Sequence, residues 1–304
     1  MQRANLFFAC FFLCDFAGGQ VAQAALTIQG FDSNRHERFG SNSFLSAGID
    51  YSGVASFGPN AQSQLTFNGW ATMITPSYFL SATHFPPGTG AKLNFYETNS
   101  LSGNLFTGTV ASGQQIANSD LWLGRLDQPV TANIAKYSIL TGDYTGGLID
   151  VVGRSLSDPA QRVGRNNIDQ YINSFSDANL GATISDVYLF GYDNPGGTGI
   201  DEAYVQGGDS GAPSFAVING ALVLTGIHWF QYTTASGGLG SGDTRAGSYM
   251  SALNAAIIGE SATFVAVPEP SSWLALLAVA GGCFRYCRSR IVARPPATHT
   301  LPNG

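Results

Sequence analysis

The chain reads as an all-β protein. Three observations carry that reading: 38 glycines in 304 residues, only 11% charged residues, and short apolar runs broken every few residues by Gly, Pro, Asn or Ser. Such runs of Thr, Tyr, Phe and β-branched residues fit half-buried strands, and the turn residues between them leave little room for long amphipathic helices. The formal net charge is −6, and the central region has no basic patch. Nucleic acid is therefore not expected as a partner, because phosphate binding needs clustered Lys and Arg.

The first segment carries Arg3, the apolar run Leu6 to Leu13, and then Val21-Ala22-Gln23-Ala24-Ala25. A short apolar run ending in small residues is a secretory signal, cut after Ala24 or Ala25. Cys10 and Cys14 fall inside it, Cys283 and Cys287 fall near the C-terminus, and the region between has no cysteine. An exported domain without disulfides relies on its core, and residues 26–265 are enough chain to bury well over half their surface.

Thr27 to Gln29 opens the domain, and the charged stretch Asp32 to Arg38, with His36 in it, reads as a solvated loop. Gln64 to Ile74 reads as two strands around a turn. Pro76-Ser77 then turns the chain into Tyr78-Phe79-Leu80-Ser81-Ala82, which places His84 just past a strand end. Lys92 to Val110 fits a strand pair. Asp120 opens the apolar run Leu121 to Leu126, where a carboxylate is costly to bury unless it is hydrogen-bonded. Asp127 and Asp143 are the substitutes if Asp120 is exposed. A connector to about Gly147 leads to a second strand-rich half, with strands at Leu148 to Gly153, Gln161 to Asp169 and Asp186 to Tyr192. Residues 193–199 form a loop whose acids do not have the spacing of a calcium loop, so no metal and no cofactor is assigned. Arg245 to Ile257 has helical spacing at Tyr249, Leu253 and Ile257.

The chemistry gathers on Gly207-Gly208-Asp209-Ser210-Gly211-Ala212-Pro213. Glycines around a serine let the backbone fold tightly and hold the hydroxyl exposed. A serine hydroxyl is a weak nucleophile alone and needs a base and a group to orient that base. His84 and Asp120 supply both, in the chain order His, Asp, Ser.

These three segments, Leu80 to His84, Ser119 to Leu126 and Gly207 to Pro213, resemble those of the trypsin-like (chymotrypsin-fold) serine peptidases of bacterial type. The resemblance implies two six-stranded antiparallel β-barrels, at about 26–130 and 148–245, and a C-terminal helix at about 246–258. It implies an endopeptidase acting on polypeptide through an acyl-enzyme, with Ser210 as nucleophile, His84 as base, Asp120 orienting it, and the amides of Gly208 and Ser210 as the oxyanion hole. Activity should then fall as the histidine takes up a proton. The resemblance also puts Tyr204 at the base of the primary pocket and Trp229 on the strand that lines it. A tyrosine there disfavours cleavage after Lys or Arg. Asp209 matches an acid that pairs with a newly released N-terminus in animal members, yet Ala25-Leu26-Thr27 does not resemble their activation sequence, which leaves its partner open. His228, on the pocket strand, reads as a structural strand histidine.

Val267-Pro268-Glu269-Pro270, the apolar run Trp273 to Phe284 and the arginines 285, 288 and 290 resemble a PEP-CTERM sorting signal at 266–290, with a disordered tail at 291–304. That implies handling by an exosortase-type enzyme and a place at the surface or in the matrix of a Gram-negative bacterium. The run of about twelve residues is short of the about 20 a permanent span needs, so membrane contact would be transient. The alternative is a catalytically silent relative acting as a surface binding module.

Overall fold

The computed structural model describes residues 25–40, 48–57, 69–156, 161–193 and 197–267. The export signal at 1–24, the start of the expected strand pair at 64–68, Asn194, and the sorting signal and tail from 268 onward lie outside the described residues.

The first half holds β1 (Thr27–Ile28), the single-turn helix α1 (Ser33–His36), β2 (Ser56–Phe57), β3 (Thr72–Met73), β4 (Tyr78–Ala82), β5 (Lys92–Tyr96), β6 (Leu105–Gln115) and β7 (Leu121–Leu126). Six of these form the antiparallel order β2-β5-β6-β7-β4-β3. Just before β2 the chain also serves the far edge: Met73 N donates to Gly53 O at 2.9 Å, and Ala55 N donates to Ala71 O at 2.8 Å. One segment, 53–57, therefore pairs with both β3 and β5 and closes the sheet on itself. Its interior is Met73, Phe79, Leu93, Phe95, Val110, Trp122 and Leu126.

The second half holds β8 (Ser138–Thr141), β9 (Leu148–Arg154), β10 (Gln161–Asn167), β11 (Gln170–Phe175), β12 (Ser185–Tyr192), β13 (Ala203–Tyr204), β14 (Pro213–Ile218), β15 (Ala221–Thr233), β16 (Leu239–Arg245), the helix α2 (Met250–Ala256) and β17 (Phe264–Ala266). The main path runs β10-β9-β14-β15-β16-β12-β11. Its two ends are one bent segment: Ile168 N donates to Gly147 O at 3.0 Å on the β9 side, and Asp169 N donates to Leu189 O at 2.8 Å on the β12 side. The second half thus curls into a closed antiparallel path as expected, but β8 adds to β15 in parallel and β17 adds to β8 in parallel, so the sheet has nine strands and not six. The connector is therefore not structureless; its apolar positions Val130, Ile134, Tyr137 and Ile139 are buried.

Two further expectations are corrected. The N-terminal segment does not belong to the first barrel, because β1 pairs with β13 of the second. The stretch Asp32 to Arg38 is not a solvated loop: His36 is fully buried, its Nε2 3.1 Å from Asp201 Oδ1, while Arg35 pairs with the same carboxylate. Burial of charge is tolerable here because each charge has a partner.

Strand β4 is buried at all five positions, which explains its unbroken apolar run. Phe79 fills the first barrel, while Tyr78, Leu80 and Ala82 join Val152, Val163, Ala212, Phe215, Leu224 and Ile227 of the second half in one core. Leu253 and Ile257 of the expected C-terminal helix pack into that core. Arg38, 1% exposed, ties the halves together: its guanidinium donates to Val54 O, Tyr96 O, Thr98 O and Asn99 Oδ1 on one side and to Gln161 Oε1 on the other. Burial pulls its pKa down to about 10 against the upward pull of neighbouring groups such as Tyr137 and Asp50. Replacement Arg38→Met would remove a buried donor of five hydrogen bonds, and the expected cost is about 3 kcal/mol or more at 1–3 kcal/mol per buried group that loses its partner. Urea unfolding measures it, and a loss under about 1 kcal/mol would contradict the role given to this side chain.

Candidate active site

The turn after β4 carries His84, with Phe85 N donating to Ala82 O at 3.3 Å and Thr83 N donating to Asp120 O at 2.8 Å. Asp120 uses both carboxylate oxygens on this one residue. Oδ1 accepts from the His84 backbone N–H at 2.9 Å and Oδ2 lies 2.8 Å from His84 Nδ1. An ionised carboxylate can only accept, so Nδ1 carries the proton and Nε2 is left as the free base. The histidine side chain is 24% exposed, while that of Asp120 is 1% exposed.

Asp120 is placed by a tight turn in which Ala117 and Asn118 both have positive φ, at 47° and 56°. Ser119 Oγ closes that turn by donating to Ile116 O at 2.6 Å. The second barrel reaches in as well, since Asp120 N donates to Ser185 Oγ at 2.9 Å. Burial pushes the Asp120 carboxyl above its ordinary value, and the hydrogen bonds and charge of His84 oppose that shift. The substitutes are not needed: Asp127 accepts from Thr109 N and Asp143 from Thr145 N, both at exposed sites.

Ser210 stands on the Gly207–Gly211 turn at the head of β14. The loop docks on the strand that carries the histidine, because a Cβ built on Gly211 would lie 2.7 Å from Ser81 Oγ and 3.2 Å from Ala82 N. Gly211 and Gly208 have φ of 88° and 102°, a region costly for any other residue. Among the described residues, Ser210 Oγ has no hydrogen bond to His84; the structure joins His84 to Asp120 directly and brings the serine loop beside them.

The amides of this turn divide into two sets. Asp209 N donates to Gln206 O, Gly211 N to His228 O, and Ala212 N to Asp209 O, at 2.9–3.0 Å. The amides of Gly208 and Ser210, among the described residues, have no acceptor within the protein. Two free N–H groups, with Asp209 between them, at a serine turn are the kind of donor an oxyanion hole would use.

Asp209, fully buried, is held by the backbone. Its Oδ1 accepts from Arg154 N at 2.6 Å and its Oδ2 from Gln206 N at 2.8 Å. No ammonium group is needed to satisfy it. Beside it lies His228, also fully buried, with Nδ1 2.6 Å from Asp243 Oδ1 and Nε2 2.9 Å from Val152 O. Burial works to lower the His228 pKa, but Asp243 and Asp209 outweigh it and the net direction is upward. His228 is therefore a strut: its backbone N–H and C=O bond the serine loop at Ala212 and Gly211 while its ring ties β15 to β16 and β9.

The pocket residues are less open than the resemblance implies. Tyr204 is half-buried and pairs with Thr27, its ring 5.8 Å from that of Tyr192. Trp229 is 3% exposed and sealed against Phe175 and Phe230. A groove of about 460 Å³ lined by Tyr78, Arg125 and Ile258, among others, lies at the start of β4, the end opposite His84. Ser185, Arg154 and Asp243 take part in the site without having been marked in the sequence; an amide donor or a lone serine from another strand has no motif.

Burial pushes the Asp209 carboxyl up to about 6 against the opposing backbone hydrogen bonds and the charges of His228 and Arg154. A carboxyl raised by folding keeps its proton in the native state after the unfolded chain has lost it, so its contribution to stability falls as pH rises from about 4 to about 6. Unfolding free energies of the parent and of Asp209→Asn should therefore differ by a margin that shrinks by about 3 kcal/mol across that window. A margin independent of pH would show that Asp209 titrates normally. No family model matches the chain, and a search of curated proteins finds no relative.

Proposed function

We propose that this protein is an exported serine endopeptidase of the trypsin-like kind. The observation that carries the proposal is the pair of bonds from Asp120 to His84, which spends a buried carboxylate on orienting one imidazole and leaves its Nε2 as base. In this reading, Nε2 takes the Ser210 proton as Oγ attacks the scissile carbonyl. The resulting oxyanion is met by the free amides of Gly208 and Ser210. The histidine then gives the proton to the leaving amine, and water reverses the sequence to release the acyl group. Asp120 stabilises the imidazolium throughout. Tyr204, at the position the resemblance gives to the base of the pocket, offers no carboxylate to a basic side chain, which favours substrates without Lys or Arg at the cleavage position. Delivery to the surface or matrix through an exosortase-type enzyme rests on the C-terminal signal.

A silent binding module is the rival reading, favoured by the absence of a Ser210 to His84 hydrogen bond among the described residues. Labelling of folded 26–265 protein with a fluorophosphonate separates the two. Parent protein should label, and Ser210→Ala and His84→Ala should not. Asp120→Asn, which disrupts the tautomer, should slow peptide hydrolysis by about 10⁴. A folded parent that does not label would move the binding module ahead.

A further inference from the structure

Trp70 is 1% exposed, sits in the core shared by the two barrels, and donates its indole Nε1–H to Gly208 O at 2.9 Å. We infer that Trp70 is a positioning residue for the oxyanion hole; the inference rests on the proposed peptidase function.

Two consecutive glycines, Gly207 and Gly208, precede Asp209, and glycine leaves the intervening peptide free to rotate. A rotated Gly207–Gly208 peptide would aim a carbonyl, not an N–H, at the developing oxyanion. The peptide that follows is held at both ends. Its C=O accepts from Trp70, and its N–H, that of Asp209, donates to Gln206 O at 3.0 Å. With that plane fixed and Gly208 at φ 102°, the turn is braced on the side away from the free Gly208 amide. The carbonyl of Gly208 points back into the protein because Trp70 is there to receive it.

The neighbouring residue ties this brace to the base. Gly69 has φ 73°, and a Cβ on it would lie 2.9 Å from Pro87 N and 3.0 Å from Phe85 O. Gly69 thus presses on the chain that leaves His84 while Trp70 holds the carbonyl beside Ser210. One dipeptide sets the spacing of the histidine turn and the serine turn, across the seam between the barrels.

The test removes only the N–H. Trp70 is replaced by 3-benzothienylalanine, which keeps the bicyclic shape with sulfur in place of the donor, and Trp70→Phe is made beside it. With a peptide ester or amide substrate, kcat should fall at least tenfold in both variants while KM stays within about twofold, since one lost hole donor typically costs about 10²–10³. Inhibition by a peptidyl trifluoromethyl ketone, whose adduct places an oxyanion in the hole, should weaken by the same factor as kcat/KM. The thermal midpoint of the sulfur variant should fall by no more than a few degrees, the cost of one orphaned carbonyl, so that the protein remains folded under assay conditions. Unchanged kcat and unchanged ketone inhibition in the sulfur variant would overturn the positioning role and leave the peptidase reading intact. A folded parent that neither turns over substrate nor labels with fluorophosphonate would remove the peptidase reading, and this inference with it.

Discussion

The structure depends on strands that are buried on both faces. β4 and the middle of β15 have no solvent side, so each must be covered by its own barrel on one face and by the opposite barrel on the other. That requirement sets the two barrels back to back with a shared core running through Leu80, Ala82, Ala212, Phe215 and Ile227. The loops leaving β4 and entering β7 and β14 then open at one seam. His84, Asp120 and Ser210 are distant in sequence, and this packing is what places their segments side by side.

Burial on that scale obliges every charge at the seam to find a partner. Asp120 is met by two donors from His84, Asp209 by two backbone amides, His228 by Asp243 and a carbonyl, and Arg38 by carbonyls and amides drawn from both barrels. Unpaired, any of these would cost several kcal/mol. Paired, they make the seam rigid where the proposed chemistry needs fixed geometry. At Asp209 both oxygens accept backbone amide hydrogens, which ties the serine loop to β9. The N-terminal strand adds to the same point, since Leu26 N donates to Arg154 O, the residue whose own amide serves Asp209.

The all-β class, most strand positions, the closing helix and the His-Asp pairing were legible in the chain. Apolar runs and turn residues report local backbone preference, and a carboxylate at the mouth of an apolar strand demands a donor that the sequence offers in few places. The burial of His36 was not legible, because the charges around it look solvated until Asp201, far along the chain, is seen to receive both His36 and Arg35. The placement of β1 on the second barrel was hidden for the same reason, since two residues pair wherever an edge is free.

Within the site the division follows the chemistry of the groups. Residue identity by itself determined which side chains have the chemistry of the proposed nucleophile, base and orienting acid, and that glycines surround Ser210. Only the tertiary structure decided what holds Asp209, which amides are left free for an oxyanion, and what receives the Gly208 carbonyl. Those partners are backbone groups, one from the loop itself and one from β9, and one indole N–H brought from the segment before β3. Every residue but proline carries the same amide and every residue the same carbonyl, so the sequence has no letter for which of them stays unpaired; the closing of two barrels makes that choice.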